Sequence, residues 1–362
     1  MTNKPLDLKK RLFLWIAIDL ALLGVFLLTF AYFHHVRKQT YAPQALGAFT
    51  PAPPPTSTPA PAPEPSDAPG QTDPPADAAA TPAEPTPNVN GLLGGKFAEK
   101  FTFGEVEHTD MSYRSENVCI EVEMVQSTDP WLTYYLADIY IQDISSFKTA
   151  VALEYPEDNP SHIKTTMDVR LLSRLVSSVL SLSGDHFATQ PAGRWVVRGG
   201  VEWARKLPLQ QDICVLYYDG VMETYTIKEA DLAAITARNP YHVWSFGPEL
   251  LIDGQAAEKF TAINGSGTKK NPRAAVGYYE PGHYCFLLVD GRQSGYSVGM
   301  TYAEMSQLFY DLGCTVAYNL DGGDSAVMCW GDEWLSHPQN EDPRSAADLL
   351  YIVEPDSWEG NS

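Results

Sequence analysis

Residues 34–90 cannot build a core, and that divides the chain before anything else is read from it. The stretch is proline, alanine, threonine and acid, densest between 50 and 87, with repeated Pro-Ala and Pro-Pro steps. Such a composition buries too little apolar surface to offset chain entropy, and proline stiffens it toward extended polyproline II. It reads as a disordered linker, a spacer on the order of 100 Å at about 3.1 Å per residue. Whatever folds must lie at its two ends.

Ahead of it, residues 12–33 are apolar except for Asp19 and Thr29, close to the roughly 20 residues a helix needs to cross a bilayer. The run ends Ala31-Tyr32-Phe33-His34-His35 without a small-residue cleavage site, so it reads as an uncleaved transmembrane signal anchor. Lys4, Lys9, Lys10 and Arg11 precede it, against only Arg37 and Lys38 close behind. That bias puts residues 1–11 in the cytoplasm and everything after the anchor outside the cell. Asp19 reads as lying near the interface or protonated, with a partner helix as the alternative.

The formal net charge of −20, with no Lys/Arg cluster interleaved with aromatics, excludes nucleic acid as a partner. An anionic ligand would have to be held by individual arginines. The five cysteines are odd in number and show no Cys-x-x-Cys spacing, so neither a zinc site nor a disulfide framework is indicated. Each sits in an apolar stretch and reads as a small hydrophobe, with one bridge left open.

Residues 91–362 are rich in Tyr, Val, Trp and Ile and suffice for one globular domain with a sizeable core. Apolar alternation marks strands at 118–125 and 134–142, with others at 195–200, 284–289 and 349–353. Segments 214–218 and 221–227 flank Asp219-Gly220 and read as a hairpin. Helical spacing marks 168–176, with Thr165 and Asp168 as a capping box, and 226–237, capped by Thr226 and Glu229. Thr301 and Glu304 open a third helix, which carries Met305, Leu308, Phe309 and Leu312 on one face and ends before Gly313. This pattern predicts an α+β fold with a mixed, largely antiparallel sheet and about three helices, not a parallel βαβ array.

The chemistry is concentrated at 317–328. Two apolar segments, 314–318 and 326–330, read as buried strands around a polar turn that holds Asn319, Asp321, Asp324 and Ser325. On spacing alone two readings stand: a tight hairpin whose Asn and Asp satisfy backbone groups, or a site where Gly322 and Gly323 let the backbone approach a ligand. Upstream, residues 264–273 form a glycine-rich basic loop that lacks the spacing of a nucleotide P-loop. Lys269 and Lys270 read there as solvated.

Asn319-Leu320-Asp321-Gly322-Gly323-Asp324-Ser325, with Asn271-Pro272-Arg273-Ala274-Ala275-Val276-Gly277 before it and Arg344 after it, resembles the phosphodiester glycosidase family, of the N-acetylglucosamine-1-phosphodiester α-N-acetylglucosaminidase type and in a bacterial exported form. Further similar stretches are Tyr135-x-Ala137-Asp138-Ile139, Phe246-Gly247-Pro248-x-Leu250 and Gly184-Asp185-x-Phe187. The family's turn there usually reads Asn-Gly-Asp-Tyr-Phe, so Ser183 and His186 depart from it. Asp138 and His186 read as ordinary surface or packed residues.

The resemblance implies hydrolysis of a sugar-1-phosphodiester, of the N-acetylglucosamine-1-phosphate type, at C1–O in a cell-surface or exopolysaccharide glycan. It implies a catalytic carboxylate at Asp321 or Asp185 and phosphate contacts from Arg273 and Arg344. Gly184, Asn319, Gly322, Gly323, Asp324 and Ser325 would bind substrate or shape the turn. Asp324 stands where the family has Gly, adding negative charge beside a phosphate. No cofactor is implied. Two alternatives remain: a non-catalytic surface module that binds anionic wall or capsular glycan, and a phosphodiesterase with a divalent cation on Asp185, Asp321 and Asp324. The expected partners are thus a glycan or sugar-phosphate substrate and, through the N-terminal helix, the membrane; oligomeric state has no signal in the sequence.

Overall fold

A computed structural model describes residues 90–152, 166–187, 193–260 and 267–355. The expected anchor at 12–33 and the linker up to residue 89 lie outside the described residues. No helix among the described residues is long and apolar enough to cross a membrane.

The α+β expectation holds, and its β part is three sheets and a small hairpin. The seven-stranded sheet runs in the order Glu107–His108, Ser112–Arg114, Val118–Thr128, Trp131–Ile141, His283–Val289, Arg273–Glu280, Val316–Asn319. One five-stranded sheet runs Met222–Tyr225, Ile213–Tyr217, Pro240–Trp244, Arg194–Arg198, Val201–Lys206. The other runs Glu333–Trp334, Met328–Trp330, Leu180–Ser183, Asp348–Ile352, Phe147–Val151. Every pairing among the described residues is antiparallel.

One core joins the three sheets. Ile120, Ile139 and Phe286 from the first, Leu216 and Trp244 from the second, and Leu182, Met328 and Leu350 from the third pack in a single cluster. At about 1.5–3 kcal/mol for each large side chain buried, this shared cluster is what the sheets gain by facing one another. Each sheet then covers its outer face with one helix. α1, Val169–Leu175, sets Val169 and Leu172 against Val327 and Leu349. α2, Leu232–Ala237, sets Ile235 against Trp195, Val215 and Val243. α3, Tyr302–Asp311, sets Met305 and Phe309 against Ala275, Leu287 and Ala317.

Local signals explain most of these elements. The Asp219 carboxylate accepts the Val221 amide at 3.0 Å and Gly220 takes φ +80°, which turns the expected hairpin. Thr301 and Glu304 form the expected reciprocal box at the start of α3, and Gly313 follows its end with φ +82°. The other two caps differ from expectation. Asp168 itself caps α1 through the Arg170 and Leu171 amides, and Thr165 lies outside the described residues. α2 starts only at Leu232, capped by Asp231; the Thr226–Glu229 contact closes a separate turn before it. A single side-chain acceptor that reaches two amides does the work of a box in both.

The fold also settles the geometry at 314–330. Val316–Asn319 is an edge strand of the seven-stranded sheet, whereas Met328–Trp330 belongs to a five-stranded one. The polar turn between them is not a hairpin: it carries the chain from one sheet to another.

Candidate active site

The crossing turn is fastened on both sides by backbone. Leu320 donates to the Ala274 carbonyl at 2.8 Å and Gly323 to that of Pro272 at 2.9 Å, while Asp321 donates to that of Gly184 at 3.0 Å. A Cβ on residue 322 would stand 2.8 Å from the Pro272 oxygen, and residue 323 has φ +68°. Both glycines are therefore required by the path of the chain. A single tight helical turn, Gly323–Ser325, follows.

This stitching leaves the Asp321 carboxylate almost buried, at 8% exposure, with its opening toward charged and polar side chains. Its Oδ2 lies 3.3 Å from Nη2 of Arg344 and 3.3 Å from Nδ1 of His186. Arg344 is exposed, and its Nε donates to the Ser325 hydroxyl at 2.7 Å while its amide donates to the Asp324 carbonyl at 3.1 Å. The half-buried Asp324 points elsewhere, its Oδ1 accepting from Asn340 at 2.5 Å. Asp321, Arg344, Ser325 and His186 are thus one cluster, a carboxylate with a fixed cation at a solvent-accessible rim. His186, read from sequence as an ordinary residue, belongs to it.

Asp185 does not share that opening. It is 1% exposed, its Oδ1 receives Nη2 of Arg198 at 2.7 Å, and its Oδ2 receives the Ser245 amide at 2.9 Å. Asp348 takes Nε of the same arginine at 2.9 Å. Burial works against the Arg198 charge, but the two carboxylates more than restore it and raise its pKa. Burial first, and then the neighbouring Asp185, push Asp348 up to about 8 despite Arg198. Two carboxylates share one cation. The structure places Asp185 beneath the turn, buried and bonded on both carboxylate oxygens. Gly184 serves the same cluster, because a Cβ there would stand 2.6 Å from Cγ of Asp348.

Arg273 is likewise engaged inside the scaffold. Its Nε donates to the Met300 carbonyl at 2.9 Å, its Nη2 to that of Lys269 at 2.8 Å, and its guanidinium lies 4.3 Å from the Tyr302 ring centre. It pins the 267–273 segment to the start of α3. Asn319 is 1% exposed and donates to the Gly247 carbonyl at 2.8 Å, tying the Phe246-Gly247-Pro248 loop to the edge strand. Arg198, Asp348 and His186 were missed from sequence. An arginine at the end of the apolar run Trp195-Val196-Val197 was the available signal for the first.

The divalent-cation alternative requires Asp185, Asp321 and Asp324 to converge. They face Arg198, Arg344 with His186, and Asn340 respectively. Among the described residues no group of three or more His, Cys, Asp and Glu is placed to hold a metal. The five cysteines are free and buried; burial pushes the Cys119 and Cys329 thiols up to about 12, away from thiolate chemistry.

A nearly buried carboxylate beside an exposed arginine can stabilise charge of either sign that develops on a bound molecule. Residues 179–353, just under half of the chain, match the family model of the phosphodiester glycosidases. The SPbeta prophage-derived uncharacterized protein YomE of Bacillus subtilis (strain 168) is 30% identical over 145 residues, 40% of this chain. The match spans only 22% of that protein's length. In fold, the chain is similar to the zebrafish N-acetylglucosamine-1-phosphodiester α-N-acetylglucosaminidase catalytic domain, auto-inhibited by its pro-peptide, with TM-score 0.53 and 19% identity over 69% of this chain and 88% of that one. A hypothetical protein from Synechocystis gives TM-score 0.51 at 12% identity, over 69% of this chain and 64% of its own.

Proposed function

We infer that this chain hydrolyses a sugar-1-phosphodiester of the N-acetylglucosamine-1-phosphate type, breaking C1–O, in a glycan at the cell surface. The observation that carries this reading is Asp321: a carboxylate at 8% exposure, 3.3 Å from an exposed arginine that also holds Ser325. Cleavage at C1–O builds positive charge on the sugar and expels a phosphate monoester. A fixed carboxylate lowers the energy of that oxocarbenium-like state, and a nearby guanidinium receives the charge that collects on phosphate. Such a leaving group departs without strong acid help, so the site needs no second carboxylate at the rim. This suits a turn whose other aspartates are buried or directed away.

The name of the zebrafish enzyme, an N-acetylglucosamine-1-phosphodiester α-N-acetylglucosaminidase, supports the choice of sugar, and the anchor and linker expected from the sequence would hold the domain at a surface or exopolysaccharide glycan.

The test is to incubate the full chain with UDP-N-acetylglucosamine and simple sugar-1-phosphodiesters in oxygen-18 water and to resolve products by mass spectrometry. Label in the released sugar is the expected result. Label in phosphate would move the protein to the phosphodiesterases, and binding without turnover across a varied panel would make it a glycan-binding module.

A further inference from the structure

Arg273 is engaged with backbone carbonyls, and a different arginine stands at one side of the crossing turn. We propose that Arg292 receives the charged phosphodiester oxygens on the Gly323 side of the turn, with Arg344 on the Ser325 side, and that Asn271 positions it; this rests on the phosphodiester reading above.

The placement is specific. Nη2 of Arg292 lies 3.2 Å, and its Cζ 3.6 Å, from where a Cβ on residue 323 would stand. The absence of that side chain keeps the guanidinium open to a ligand lying on the turn. Arg292 is exposed and forms no ion pair among the described residues; its Nε donates to Oδ1 of Asn271 at 3.0 Å. The two Nη groups, the fork that matches two oxygens of a phosphate, are not spent on a carboxylate. In a chain of net charge −20 this is unusual for an arginine.

The backbone is shaped to hold it. Arg292 takes φ +59°, a left-handed conformation that costs a residue with a side chain about 1 kcal/mol or more and persists where the surroundings impose it. They do so on both sides: a Cβ on Gly291 would stand 2.8 Å from the Asn271 carbonyl carbon, and Gln293 donates to the Ser297 carbonyl at 2.8 Å. Asn271 is suited to the positioning role because its amide accepts from Arg292 through Oδ1 and donates to the Lys269 carbonyl through Nδ2 at 3.2 Å. The Asn-Pro-Arg motif then resolves into three tasks. Asn271 aims Arg292, the Pro272 carbonyl fastens Gly323, and Arg273 anchors the segment that carries them. Burial pulls the Arg273 pKa down and repulsion from Arg292 adds to it, so the two cations share a field that a bound anion relieves.

The experiment measures binding separately from turnover. The full chain and its Arg292→Ala, Arg292→Lys and Asn271→Ala variants are titrated with inorganic phosphate and with N-acetylglucosamine-1-phosphate, and each is checked for its thermal midpoint. Arg292→Ala is expected to weaken phosphate binding at least about tenfold at an unchanged midpoint, as loss of a charge-assisted contact does. Arg292→Lys, which keeps the charge without the fork, should fall between, and Asn271→Ala should weaken binding with Arg292 still present. In turnover, the Arg292→Ala loss should fall mainly on KM for a phosphodiester. Phosphate binding by Arg292→Ala as tight as by the parent chain would overturn the proposal, as would a parent chain that binds no inorganic phosphate. Loss of phosphate binding in a chain that cleaves no sugar phosphodiester would keep the anion site and remove the hydrolase reading. Phosphodiester cleavage by Arg292→Ala at the parent KM would do the reverse.

Discussion

The amide of Gly184 donates to the carbonyl of Asp348 at 3.0 Å, and the Asp348 carboxyl fills the space where a side chain on Gly184 would begin. The same glycine's carbonyl holds the amide of Asp321, so the buried ion cluster and the sheet-crossing turn meet through one residue. Gly184→Ala should therefore destabilise the fold by roughly 1–3 kcal/mol, the usual cost of overpacking, and should lower activity beyond that by moving Asp321. Urea denaturation read beside turnover checks both. An unchanged midpoint would mean that Asp348 yields its space freely.

Arg273 supplies a contrasting case. With donors placed on the Met300 and Lys269 carbonyls and only 4% exposure, its removal leaves buried acceptors unpaired. Arg273→Ala should cost about 1–3 kcal/mol of stability, and lysine should not restore it because it lacks the planar fork. A thermal midpoint equal to that of the parent, together with lost turnover, would favour the phosphate role expected of Arg273 from the sequence.

The cluster of Asp185, Arg198 and Asp348 gives the fold a pH dependence whose sign is set by Asp348. Its folded pKa is raised from 3.8 to about 8 by burial. The native state keeps a proton that the unfolded chain releases near pH 4. That contribution to stability is full below about pH 4 and is lost as the pH rises toward about 8. Urea midpoints across this window should fall with rising pH, and Asp348→Asn, which imitates the protonated acid, should flatten the slope. A slope unaffected by the substitution would assign the dependence to other groups.

What was legible in the sequence was whatever is decided by neighbours along the chain. The box at Thr301 and Glu304, the Asp219-Gly220 turn and the alternation in Val118–Thr128 depend on residues a few positions apart. The division into three sheets was not legible, because alternation states which face of a strand is buried without naming what buries it. Ala317 and Val327 illustrate this: ten positions apart around one turn, they pack in different clusters beneath different helices. The site divided along the same line. Asp321, Gly322, Gly323 and Ser325 came from one contiguous motif. The burial of Asp185 was not legible, because its partners, Arg198 and Asp348, have no sequence spacing that announces them.

Asp321 is where the functional reading is most exposed to failure. Its carboxylate contacts Arg344, a side chain 50% exposed, so the pair contributes little to stability, about 0–1 kcal/mol. Asp321→Asn preserves shape and removes only the charge. The thermal midpoint should therefore stay within a few degrees of the parent, while turnover of a sugar-1-phosphodiester should fall by at least about 100-fold, the low end for loss of an acid–base or charge-stabilising group. Arg344→Ala should raise KM for the phosphodiester, since the guanidinium it removes faces the substrate side of the same carboxylate. Steady-state kinetics of the two variants beside their melting curves decide the matter. Retained turnover in Asp321→Asn would remove the carboxylate from the mechanism, and a collapsed midpoint would make it a structural partner of Gly184 and Arg344 instead.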